Sequence, residues 1–138
     1  MNTYTAGLID SFLAGTGHVK NRFLALNSSQ EVVLCGSGKK SIGASIFTTT
    51  VGDQAPVILS GIVPIEVGAG GITAGDLVTS DASGKAITRA ALSLTAGATA
   101  VTSNAAAPTL LGGNLPQELN GIALETGDAG DIVRILLK

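Results

Sequence analysis

The sequence predicts an all-β fold, a small glycine-rich β-barrel or sandwich with an extended N-terminal arm and a long Ala/Thr/Gly-rich loop. Three observations predict it. Short runs rich in Val, Ile, Leu and Thr are separated by turn residues along most of the chain. The chain has 138 residues and 19 glycines, enough to turn sharply between short strands. A Gly-Asp pair, at Gly75-Asp76 and again at Gly130-Asp131, stands at the head of an apolar run each time.

The length fits one domain with an attached arm. Residues 1–20 are interrupted by Gly7, Gly15 and Gly17. Between these lie Leu8, Ile9, Phe12 and Leu13, whose spacing suits one or two helical turns that the flanking glycines make marginal. The segment reads as an arm that settles on the body or on a neighbour. From residue 21 the pattern is β. Arg22 to Leu26 and Glu31 to Cys35 flank the turn Asn27-Ser28-Ser29-Gln30. Ile42 to Val51 is rich in β-branched residues and reads as a strand. Asp53 and Gln54 turn the chain before Val57-Ile58-Leu59, and Ile62 to Val67 continues extended. Pro64 there predicts an edge or strand-start position, because it has no N–H for a ladder. Leu77 to Ser80 and Lys85 to Arg89 flank Asp81-Ala82-Ser83-Gly84, where Asp81 can bond its own turn and Gly84 can take a positive φ. Residues 90–118 are rich in Ala, Thr, Gly and Ser and read as a long loop or excursion. The β domain, residues 21–138, then closes with Gly121 to Glu125 and Ile132 to Leu137.

One device recurs. Gly61-Ile62-Val63-Pro64-Ile65-Glu66 leads to Ala74-Gly75-Asp76-Leu77-Val78, and Gly121-Ile122-Ala123-Leu124-Glu125 leads to Ala129-Gly130-Asp131-Ile132-Val133. In each copy an extended segment is followed by a glycine-containing loop and a Gly-Asp that opens a new strand. The loops differ in length, so this is a reused local device and no solenoid repeat.

Composition narrows the function classes. Hydrophobic residues make up 45% of the chain but aromatic residues only 3%, so the core is built of small aliphatic side chains. Charged residues are 13%, against roughly 25% in ordinary soluble domains. A charge-poor surface of this kind fits a protein covered by partners. No run approaches the roughly 18 apolar residues of a spanning helix, and the amino terminus lacks the pattern of a secretory signal. Net charge is −2 and the 8 basic residues are scattered, which argues against nucleic-acid binding. The lone Cys35 excludes an intramolecular disulfide and reads as a small buried apolar residue.

No catalytic, cofactor or metal site emerges. Gly36-Ser37-Gly38-Lys39-Lys40-Ser41 suggests a phosphate loop, yet Val33 and Lys40 occupy positions where a Gly and a Ser or Thr are required. Gly68-Ala69-Gly70-Gly71-Ile72-Thr73 begins like a dinucleotide fingerprint but ends in Thr73. His18 has no patterned partner and reads as an exposed or interface residue. Asp76, or Asp128 with Asp131, lacks the alternating ligand spacing of a calcium loop. The carboxylates mostly fall at turns and strand ends.

The segments GIVPIEVGAGGITAGDLVTSDASGKAI and GIALETGDAGDIVRILL, with a weaker part in RFLALNSSQEVVLCGSGKKSIGASIFTT, resemble tailed-phage capsid cement or head decoration proteins. The resemblance implies a structural, non-enzymatic virion protein, made in the bacterial host cytoplasm and bound to the capsid exterior. It implies two partners, the major capsid protein and further copies of itself in a homo-oligomer, often a trimer. Its role would be to bridge capsid subunits and resist internal DNA pressure. Tyr4, Leu8, Ile9 and Phe12 are the candidate capsid or subunit contacts, by their apolar character in the arm. Gly75, Asp76, Asp81, Gly84, Gly130 and Asp131 are the candidate structural turns. The alternative is a virion display protein that binds host or glycan without stabilising the particle, although such a protein commonly carries Trp anchors and this chain has none.

Overall fold

The computed structural model describes residues 5–90, 93–94, 113–114 and 117–138. It is all-β, with no helix among the described residues. In chain order the strands are β1 (Thr5–Leu13), β2 (Phe23–Leu26), β3 (Val32–Leu34), β4 (Gly43–Ser45), β5 (Gln54–Glu66) and β6 (Leu77–Ser80). They continue with β7 (Ala86–Thr88), β8 (Ser93–Leu94), β9 (Gly113–Asn114), β10 (Gly121–Ala123) and β11 (Ile132–Leu137). One antiparallel sheet runs in the order β3-β2-β4-β5-β11-β10-β6-β7, with β1 added on β5, and β8 pairs with β9 as a separate ribbon.

The 13-residue β5 is the spine. It pairs with β1 along Gln54 to Ile62, with β4 at Val57 and Ile58, and with β11 from Ile62 to Glu66. Its middle is a point of change. Ala55, Val57 and Leu59 face a core cluster shared with Ala14, Leu24, Val32, Phe12, Leu34 and Ile42. Ile58, Val63 and Ile65 face a second cluster with Phe23, Cys35, Ala44, Val78, Ala123, Val133 and Ile135. The residues facing the second cluster are even-numbered before Gly61 and odd-numbered after it. Gly61, at φ 108°, is where the alternation flips. A residue with a side chain rarely adopts that angle, so glycine lets a single strand serve two cores. Pro64 lies inside β5 opposite Arg134, on a stretch with one ladder neighbour among the described residues. A residue with no N–H is tolerated in such a stretch.

The sheet curls until its parts meet through loops. The strand end at Ala14 bridges Val32, and Gly15 N–H bonds the Val32 carbonyl at 2.8 Å, which closes the side holding the first cluster. On the other side, Phe23 N–H reaches Gly84 O at 2.7 Å and Gly38 N–H reaches Ser80 O at 2.8 Å. Val67 bridges Ala86. Asn120, fully buried, fastens the loop after β3 to β10, with its Oδ1 accepting Ser41 N–H at 2.8 Å and its Nδ2 donating to Lys39 O at 2.9 Å.

Two expectations change. The β-branched run Ile42 to Val51 is a strand only over Gly43–Ser45. Beyond it the chain leaves the ladder as a loop, held by a single bridge between Thr49 and His18. The apolar group in residues 1–20 forms strand β1 and not helical turns, because β5 offers an edge that satisfies the backbone groups of Thr5 to Leu13. Tyr4 and most of the 90–118 excursion lie outside the described residues. The base of that excursion is tied by the β8–β9 pair and by Gln117, whose backbone carbonyl accepts Arg89 Nε–H and whose Oε1 accepts Ala90 N–H.

Gly84 provides a test of the closure. It has φ 76°, and a Cβ there would lie 2.8 Å from the Phe23 carbonyl oxygen. Gly84→Ala is expected to cost about 2–4 kcal/mol, from left-handed strain plus the displaced Phe23 contact. Gly75→Ala, with φ 93° and open space around the new methyl, is expected to cost about 1 kcal/mol from strain alone. Urea denaturation of the two variants measures the difference, and equal losses would show that the Phe23 contact does not hold the sheet ends together.

Candidate functional site

The two Gly-Asp turns are one structure used twice. In Thr73-Ala74-Gly75-Asp76, Asp76 N–H bonds Thr73 O at 3.0 Å, and Asp76 Oδ2 accepts Thr73 N–H at 2.9 Å. In Asp128-Ala129-Gly130-Asp131, Asp131 N–H bonds Asp128 O at 3.0 Å, and Asp131 Oδ2 accepts Asp128 N–H at 2.9 Å. Gly75 and Gly130, at φ 93° and 94°, hold the third position, where a type II turn requires a positive angle.

Each turn then docks on the strand region of the other copy. Gly75 N–H bonds Ala123 O and Ala123 N–H bonds Asp76 O, while Gly130 N–H bonds Val67 O and Val67 N–H bonds Asp131 O. Between them the equivalent residues Ile72 and Gly127 bridge each other by a reciprocal pair of hydrogen bonds. The ladders follow the same exchange: β5 pairs with β11 and β10 pairs with β6. The carboxylates of Asp76 and Asp131 are thus occupied by backbone amides. Asp81 forms the third turn, its Oδ1 accepting Ser83 N–H at 2.8 Å and Lys85 N–H at 2.9 Å, with Gly84 closing on Asp81 O.

An open sheet edge lies at the opposite end of β5. Among the described residues β1 pairs only with β5, so its outer edge carries unpaired backbone groups. Leu8, Ile9 and Leu13 on this strand are 57%, 48% and 40% exposed. Phe12 turns inward onto the first core cluster. Next to the end of β1, joined by Ala14–Asp53 and Gly52–Ala14 backbone bonds, the loop 46–53 presents Phe47 and Val51, both 60% exposed. Sequence reasoning missed these two. An aromatic in a β-branched run reads as core, and only the early end of β4 turns it outward.

His18 is buried and not exposed, at 5%. Its backbone exchanges hydrogen bonds with Thr49, at 3.0 and 2.8 Å, and a backbone hydrogen bond with Thr16 partly offsets the effect of burial on the ring. Burial pushes its pKa below the ordinary value, so the fold favours the neutral ring. Nearby, Glu66 Oε2 pairs with Arg22 Nη1 at 2.6 Å and Glu66 Oε1 with Lys85 Nζ at 2.9 Å. The hydrogen bond from Lys85, then the contacts of Arg22, hold the Glu66 carboxyl below its ordinary value. Cys35 is fully buried, and burial pushes its thiol pKa up. Among the described residues no group of three or more His, Cys, Asp or Glu gathers as metal ligands, and no helix is long and apolar enough to cross a membrane.

The described residues thus combine an all-β body, an apolar sheet edge and the Asp76, Asp81 and Asp131 carboxylates bonded to backbone amides. Residues 19–113 match the sequence profile of phage cement proteins. The chain belongs to that family. It is therefore a structural protein associated with the phage capsid. The cement protein matches no curated protein. Its fold is similar to a solved structure, the N base of the head fiber gp8.5 of bacteriophage phi29, with a TM-score of 0.62 at 15% identity, covering 95% of this chain and 93% of that one. The match to the family profile stops before the second Gly-Asp copy, whereas the likeness of fold spans nearly the whole chain.

The Glu66 pairing in the cement protein sets an acid response. Its folded pKa lies below the ordinary 4.5, so its contribution is complete above that value and is lost as pH falls through the folded value. Glu66→Gln is expected to lower stability by about 1–2 kcal/mol at pH 7. It should also flatten the decline in melting temperature below pH 4.5. A melting series from pH 7 to pH 3 reads both, and an unchanged acid slope would overturn the assignment.

Proposed function

We propose that the protein sits on the outside of the capsid as a homo-oligomer, bridges neighbouring major capsid protein subunits, and stabilises the lattice without catalysing a reaction. The observation that carries this reading is the edge strand β1, with an outer edge unpaired among the described residues and with exposed Leu8, Ile9 and Leu13. An extended strand from a neighbour can add there, with main-chain hydrogen bonds supplying affinity and the leucine and isoleucine contacts supplying fit. Phe47 and Val51 extend the apolar surface beside it. Tyr4 precedes β1 and joins Leu8 and Ile9 as a proposed contact, while Phe12 supports the strand from inside. Single contacts of this size are weak, but copies fixed on a lattice act together. The family membership supplies the capsid, and the free edge supplies the means of attachment.

Purified virions are expected to contain the protein in a fixed ratio to the major capsid protein, measured by quantitative mass spectrometry, and its absence from virions would end the proposal. Particles lacking it should lose DNA at lower temperature or after milder osmotic shock; equal survival would favour display or attachment without stabilisation. Leu8→Asp combined with Ile9→Asp should leave the melting temperature near wild type, since both residues are exposed. Occupancy on purified capsids should fall about tenfold, the loss expected when an interface anchor is replaced by a charge. Unchanged occupancy would remove β1 from the contact.

A further inference from the structure

Strand β11 carries more apolar residues than one buried face requires. Val133 and Ile135 face the second core cluster, yet Ile132 and Leu136, on the opposite face, are also apolar. The ladders extend this pattern across the outside of the sheet. Leu136 pairs with Ile62 of β5 and with Ile122 of β10, and Ile122 pairs with Leu77 of β6. Directly paired residues share a face, so Ile62, Leu136, Ile122 and Leu77 form one row across four strands. None of the four belongs to either core cluster. Leu77 is 43% exposed, and Leu124, one residue past β10, is 37% exposed. A sheet with one solvated face alternates apolar with polar residues, whereas strands apolar on both faces are covered on both.

We propose that this row is the face through which two copies of the chain associate, sheet against sheet. The inference deepens the homo-oligomer part of the reading above and rests on that part alone. Its composition selects the occupant. Interfaces between different partners gather aromatic and Arg anchors, whereas those between identical subunits resemble a domain core cut in half. The row is Ile and Leu throughout, like the core beneath it. Its charges agree. The charged groups at its borders are committed within the chain: Arg134 Nε to Glu125 at 2.9 Å, Arg89 Nε to the Gln117 carbonyl at 2.6 Å, and Glu66 to Arg22 and Lys85. Two copies can therefore meet here without desolvating an unpaired charge. A two-fold turn can also set each Arg134 beside the Glu125 of the other copy, a complementarity that an isologous contact supplies by symmetry. Sheets packed face to face in this way interdigitate their side chains at a spacing of about 10 Å. The contact uses the face of the sheet and leaves the outer edge of β1 open.

Sedimentation velocity over a dilution series of the full chain reads the association. Leu77→Lys combined with Leu124→Lys should keep the melting temperature of the dilute protein near wild type, since both residues are exposed. The dissociation constant should rise at least about thirtyfold, the scale of losing one interface anchor. Methyl NMR of the unaltered chain with a soluble paramagnetic probe locates the contact independently. From dilute to concentrated samples, the methyls of Leu77, Ile122, Leu124 and Leu136 should become shielded while those of Leu8 and Ile9 stay accessible. Association unchanged by the double substitution, with Leu8 and Ile9 shielded instead, would overturn this face and keep the oligomer. A chain that is monomeric at every concentration would overturn both, and if the substitutions then lowered its occupancy on capsids, the face would pass to the capsid protein. Oligomers that lose affinity through these substitutions but do not occupy capsids would support this face and remove only the capsid reading.

Discussion

The structure depends on the reciprocal docking of its two Gly-Asp turns. Each turn satisfies its own backbone through an Asp carboxylate, then hands a Gly N–H and an Asp carbonyl to the other copy's strand region. Because the exchange is mutual, neither turn is complete without the other, and the β5–β11 and β10–β6 ladders are set in register by the same contacts. The energy of any single bond here is modest. The constraint lies in how many are placed at once.

That arrangement explains how a core with few aromatic residues suffices. The small aliphatic side chains gain little each, so the chain relies on double-sided burial: Phe23 and Leu24 on β2, and Val57 and Ile58 on β5, are all fully buried although they point to opposite faces. Gly61 allows β5 to pass from one core to the other. The polar fastenings at Asn120 and at the Arg22–Glu66–Lys85 group then hold loops that have little apolar surface of their own to bury.

The two ends of the sheet differ in how their polar groups are satisfied. The turn end satisfies its polar groups internally, whereas β1 keeps an unpaired outer edge among the described residues and the loop 46–53 turns an aromatic outward. A fold that satisfies one end internally keeps the other end preorganised, which lowers the cost of any association there. The family membership gives the chain a structural role in the phage capsid, and the likeness to the phi29 head fiber base shows the shared fold.

The sequence by itself determined the β class, the hairpin at Asp81 to Gly84, the closing strand and the repeated Gly-Asp device, because these follow from local turn chemistry and two-residue alternation. Its few charges and scattered basic residues led to the expectation of a partner-covered surface, and the family match supports association with the phage capsid. Tertiary structure decided the rest. Whether Ile42 to Val51 stays in a ladder depends on what lies beside it, and only Gly43–Ser45 finds partners, Gly43 and Ala44 in β2 and Ala44 and Ser45 in β5. Whether residues 5–13 form a strand depends on the open edge of β5, which no local pattern records. His18 is buried by a bridge to a residue 31 positions away, and Phe47 is exposed by the end of a strand. The mutual docking of the Gly-Asp turns was equally out of reach, since each copy looks complete when read alone and the bonds that join them span more than forty residues.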